Sequence, residues 1–164
     1  MKKLLLLLAT VTGFAGMAQS RKSPHDTVHV KNITVTYGRP YVHERIIFGQ
    51  LVKYDQVWRV GADEATTIQF KEKTKFGGKE IPEGTYTLFA LVKENEWTLI
   101  LNTVLGQWGA FSYEKNKVND IAQVTVPVTK LTTPVEQMTI RFDDNDGMII
   151  EWEYTQVRVA VKPD

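Results

Sequence analysis

Residues 137–154, QMTIRFDDNDGMIIEWEY, carry the clearest fold signal in the chain. Met138, Ile140 and Phe142 alternate with polar partners, Asp144-Asn145-Asp146-Gly147 supplies turn chemistry, and Met148, Ile150, Trp152 and Tyr154 return with a period of two. That period places the apolar side chains on one face of a strand, so the stretch reads as a hairpin with one buried side. The pattern continues in both directions. Downstream, Val157, Val159 and Val161 alternate; upstream, Ala122, Val124, Val126 and Val128 do the same.

Working back towards the N-terminus, Trp97, Leu99 and Leu101 share one parity, and the apolar run 85–92 follows a Pro82-Glu83-Gly84 turn. Gly77-Gly78 marks a hairpin, because glycine enters left-handed turn conformations without a steric cost. Segments 57–60 and 66–70 read as strands flanking 61–65. Val28 and Val30 sit on the opposite parity to Ile33, Val35 and Tyr37, so Lys31-Asn32 must host a turn or bulge if both sets are to be buried. Gly38-Arg39-Pro40 ends that strand. The sum is roughly nine or ten short strands at a spacing of about 8–12 residues, which predicts an all-β chain: a single β-sandwich or jelly-roll-like domain over 28–164. Residues 41–56 lack alternation and read as an irregular crossover. No long amphipathic helix, internal repeat or low-complexity linker interrupts the pattern.

The N-terminus reads differently. Met1-Lys2-Lys3 is followed by an apolar run over 4–9 and by the small residues Ala15, Gly16 and Ala18. A basic start, a short apolar stretch and a small-residue site make a secretory signal over 1–18, with cleavage before Gln19. The run is shorter than the roughly 20 apolar residues that span a bilayer, so no membrane association is expected after cleavage. Residues 19–27 read as a flexible polar lead-in. Loss of Lys2 and Lys3 takes the formal net charge from +1 to about −1. No basic run exists to neutralise a row of phosphates, which argues against nucleic acid as a partner. The chain has no cysteine, which excludes disulfides and thiolate metal sites.

Three of the arginines, Arg39, Arg45 and Arg59, fall in one short window with His43, Glu44, Trp58, Asp63 and Glu64. A guanidinium is a planar fork that holds a carboxylate, phosphate or sugar hydroxyl in fixed geometry. The same residues serve equally well to pin an irregular crossover whose backbone groups need partners, and the sequence leaves both readings open. Asp63 and Glu64 could supply acid and base, although neighbours on an extended segment point to opposite faces. Trp108, between Gly106 and Gly109, is the indole most suited to partial exposure, whereas Trp97 and Trp152 read as core. His25, His29 and His43 have no metal-ligand spacing on a strand, so neither metal nor cofactor is expected. Nucleophile-elbow, phosphate-loop and zinc-protease signatures are absent.

The segments SPHDTV (23–28), YGRP (37–40), ERIIFGQLV (44–52), VWRVGADEATTIQF (57–70), GGKEIPEGTYTLFAL (77–91), NEWTLILN (95–102) and QWG (107–109) resemble, in the same order, the bacterial secreted family called domain of unknown function 2911. The resemblance implies a secreted or periplasmic β-rich domain and transfers no catalytic residue. Two positions depart from the family pattern: Glu44 stands where glycine is usual, and Asp63 where asparagine is usual.

The expected function is that of a non-catalytic periplasmic or extracellular binding or accessory domain for a small anionic or carbohydrate ligand, with Arg39, Arg45, Arg59, Asp63, Glu64 and Trp108 as candidate ligand-binding residues. The alternatives are a carboxylate-dependent hydrolase of cell-envelope material and a structural envelope protein. The sequence does not set the oligomeric state. Cleavage is expected between Ala18 and Gln19; N-terminal sequencing of exported protein checks this, and a mature N-terminus at Met1 would remove the export claim.

Overall fold

The computed structural model describes residues 20–163; the expected signal segment lies outside them. Ten strands form one antiparallel sheet. They are β1 (His25–Val30), β2 (Ile33–Gly38), β3 (Gln56–Trp58), β4 (Thr67–Phe70), β5 (Thr74–Phe76), β6 (Lys79–Ile81), β7 (Gly84–Val92), β8 (Glu96–Asn102), β9 (Asp120–Phe142) and β10 (Gly147–Pro163). The order is β1-β2-β4-β7-β8-β9-β10-β5-β6, with β3 also beside β7. Before β9 come a single helical turn, α1 (Tyr113–Asn116), and a 3-10 turn, Lys117–Asn119. The all-β expectation therefore holds.

Lys31-Asn32 is the turn of the β1–β2 hairpin, which reconciles the two parities, and Lys31 adopts a positive φ of 51° there. The two strands read separately over 122–128 and 138–142 are one continuous β9. Its first part pairs with β8 and the remainder with β10. This handover doubles the sheet over in a sandwich-like way, so that Val35, Ile68, Leu88, Leu99, Ile140, Ile150 and Val159 meet in one core. β7 and β8 are buried on both faces, since Phe89 and Ile100 pack with Ala65 and Tyr113 on the side away from that core. Burial on both faces explains why 85–92 reads as a continuous apolar run rather than a clean alternation.

One register expectation fails. Tyr154 does not continue the inward face of Met148, Ile150 and Trp152; it is 50% exposed, while Thr155, Val157, Val159 and Val161 are buried. The β9–β10 pairing slips between Glu151 and Glu153 and again between Glu153 and Thr155, and Glu153 has φ 54°. The extra residues of the irregularity lie on β9, Glu153 stays paired with Val135, and the left-handed backbone at Glu153 turns the later side chains of β10 to the other face.

The crossover 41–56 is irregular, yet Ile47, Phe48 and Val52 enter the main core. Phe48 meets Trp58, Trp97 and Trp152 at centroid separations of 5.1–6.1 Å, and Trp58 stacks on Trp152 at 6.1 Å with planes 16° apart. This aromatic group fastens the crossover to β3, β8 and β10. Replacing Trp152 by Ala is expected to cost about 3–5 kcal/mol, and Tyr154→Ala under about 0.5 kcal/mol. Denaturant melts check the pair, and equal losses would contradict the bulge.

Candidate functional site

The loop 59–66 leaves β3 and returns as β4, and both strands lie along the same side of β7. Trp58 pairs with Ala90, and Thr67 with Thr87. The loop mouth is closed by Thr66 N–H to Arg59 O at 3.1 Å, and Leu88 N–H donates to Thr66 O at 2.8 Å. Inside it Val60 and Asp63 have φ of 53° and 63°, which for β-branched Val60 is a strained conformation. Gly38 lets the loop sit against the end of β2, because a Cβ there would lie 2.3 Å from Ala62 O.

The two acidic candidates hold the N-terminal residues. The Asp63 carboxylate accepts the backbone N–H groups of Lys22 and Ser23 at 3.1–3.2 Å and lies 3.4 Å from His25 Nε2. Burial pushes the Asp63 carboxyl up, but the donors from Ser23, Lys22 and His25 more than offset this, so it sits below the usual carboxylate range. The Glu64 carboxylate accepts from Arg21 Nε at 2.8 and 3.1 Å, with Arg21 Nη2 at 2.8 Å and His25 Nε2 at 3.6 Å, and the Arg21 bond lowers its pKa. Arg39 N–H also donates to Pro24 O at 2.7 Å. The expected lead-in thus contains the start of β1 and, ahead of it, a strap tied down by loop 59–66.

The arginines divide into three roles. Arg39 is a strut: its guanidinium donates to Met138 O at 3.0 Å, Asp26 Oδ2 at 3.2 Å and Thr139 Oγ1 at 3.0 Å, joining β1 and β2 to β9. Arg45 is exposed and donates to the carbonyls of Val42 and Tyr41, which caps the turn that opens the crossover. Arg59 is half-buried, and its Nε donates to Gly61 O at 3.2 Å. No carboxylate lies within ion-pair distance of Arg59 among the described residues, and burial lowers its pKa while the charge of Asp63 opposes that shift.

A cavity of about 390 Å³ opens where the strap, the crossover and loop 59–66 meet. Arg45, Arg59 and Asp63 line it, together with Lys22, Tyr41, His43, Trp58 and Trp152. Arg39, Glu64 and Trp108 do not; half-buried Trp108 forms a β-bridge with Glu64 behind the loop. Sequence reasoning missed the strap, whereas its assignment of Trp152 to the core holds, and that residue also borders the cavity. Trp58 was legible as a neighbour of Arg59, whereas Lys22 gave no signal. Among the described residues no group of three or more His, Asp or Glu side chains is placed to hold a metal ion.

These features define an all-β domain with a cationic, aromatic-lined cleft beside a strained loop. The chain matches the family described as "Protein of unknown function (DUF2911)" over residues 19–161 and belongs to it. No curated protein and no solved structure matches it.

Because the folded pKa of Asp63 is below its unfolded value, its bonds to the strap contribute fully above about pH 4 and are lost as pH falls through the folded pKa. Asp63→Asn is expected to cost about 1–2 kcal/mol at neutral pH and to flatten the acid limb of the stability profile relative to the parent. Urea melts from pH 7 to pH 2 check this, and superimposable profiles would contradict the strap contacts.

Proposed function

We propose that this protein is a non-catalytic binding or accessory domain, exported to the periplasm or beyond the cell, that takes a small anionic or carbohydrate ligand in the cavity beside loop 59–66. The observation that carries this reading is Arg59, a half-buried guanidinium lining the cavity with no carboxylate partner among the described residues. Holding a cation in that state is costly unless an anion or strong acceptor completes its hydrogen bonds. Lys22 and Arg45 add positive potential around the same opening. Export is supported by the basic, apolar and small-residue pattern of 1–18.

Hydrolysis is less well supported. Two carboxylates would have to face one cleft about 5–9.5 Å apart, and among the described residues that line the cavity only Asp63 carries a carboxylate. Its lowered pKa and its three N–H contacts keep it ionised and acceptor-only, a poor general acid.

Thermal melts of Arg39→Ala and Arg59→Gln variants, with sugars, organic acids and peptidoglycan fragments, test the reading. Arg39→Ala is expected to lose about 2 kcal/mol through its broken bonds and to keep any ligand shift. Arg59→Gln is expected to stay within about 1 kcal/mol of the parent and to lose the shift, which for a ligand at 100 times its Kd is about 2.7 kcal/mol. Absence of any Arg59-dependent shift would overturn the proposal.

A further inference from the structure

From Ala110 to Asn119 the chain winds as a turn, α1 and the 3-10 turn. Tyr113 N–H donates to Ala110 O and Asn116 N–H to Ser112 O, both at 3.1 Å. Residues three and four apart on such a winding share a side. Ala110 and Tyr113 pack inwards with Phe89 and Ile100, while Phe111, Glu114, Lys115 and Val118, spaced i, i+3, i+4 and i+7, are all exposed. Phe111 and Val118 are 83% and 85% exposed, and Leu105 and Ile121 of the same segment are exposed as well. Four of the seven large hydrophobics exposed among the described residues thus lie within 105–121, a concentration that distinguishes an interaction surface from scattered apolar side chains. The Phe111 ring edge rests over Gly109, where a Cβ would lie 2.8 Å from Phe111 Cε2. A seated, exposed aromatic ring is the kind of group that anchors an interface.

Charge selects the occupant. Over 105–121 the acids Glu114 and Asp120 cancel the bases Lys115 and Lys117, so the surface offers no excess of either sign to an anionic lipid surface or a strongly charged peptide. The exposed stripe matches itself instead. A two-fold axis between Glu114 and Lys115 would set two such turns antiparallel, with Phe111 against the second copy's Val118 and Glu114 against its Lys115, each contact repeated by symmetry. Lys115 has no ion-pair partner among the described residues, while Glu114 is shared with Lys117 at 2.8 Å. We infer that this protein pairs with a second copy of itself through the outward face of α1 and its flanking turns, in that antiparallel arrangement.

Sedimentation equilibrium of the purified protein, over a concentration series up to about 1 mM, reads the self-association constant. The parent is expected to dimerise. Phe111→Ser, at a position that faces water in the monomer, is expected to weaken the dimer about tenfold or more and to leave the melting temperature of dilute protein unchanged. Lys115→Glu is expected to weaken it too, by setting acids against acids across the axis. Combining Glu114→Lys with Lys115→Glu is expected to restore the dimer, since both cross-axis pairs are again opposite in sign and only the exposed Glu114–Lys117 pair is given up. A parent that is monomeric throughout the series overturns the inference, whether or not it co-sediments with phosphatidylglycerol vesicles. So does a Phe111→Ser variant that dimerises as the parent does, or an exchanged pair that fails to recover.

Discussion

The register break at Glu153 is the constraint on which the rest of the structure depends. It lets a single strand bury Trp152 on one side of the slip and Thr155, Val157, Val159 and Val161 on the other, all towards the same interior. Without it, one of those two sets would face water, and β10 could not serve both β9 and β5. Glu153 also reaches across to the crossover, where its Oε1 accepts the N–H of Ile47 at 3.3 Å. The irregular crossover is thereby tied to the sheet at the point where Phe48 enters the aromatic group. The position of the cavity wall follows from this anchor, since the crossover supplies Tyr41, His43 and Arg45.

Much of the fold was legible because antiparallel strands with one wet face write their geometry as alternation. The β9–β10 hairpin, the β5–β6 hairpin at Gly77-Gly78, and the turn at Lys31-Asn32 could all be read from parity and turn chemistry. Tyr154 was misread for a physical reason. A register slip is a backbone event, and nothing in E-W-E-Y marks where it falls. The parity switch between Trp152 and Val157 was present in the sequence and was the one available clue.

The site was legible only as a concentration of polar residues. Whether an arginine is a strut or a binding group depends on partners remote in sequence, and Arg39 finds Met138 and Thr139 on β9. Two residues of the polar window make sense once the backbone is known. Glu44 and Asp63 have φ of 58° and 63°, the left-handed region that glycine enters freely and asparagine or aspartate enters more readily than other residues. At 63 the aspartate keeps that shape and adds the charge that binds the strap.

The pairing of β10 with β5 joins Phe76 to Val161, residues far apart along the chain. Sheet closure of this kind pays its loop entropy before the contact rewards it, which makes folding slow. Phe76 and Ile81 belong to the same core as Val157, Val159 and Val161, so the interior stays open until the last strand is available. A growing polypeptide with this wiring cannot close its main core before β10 has been made.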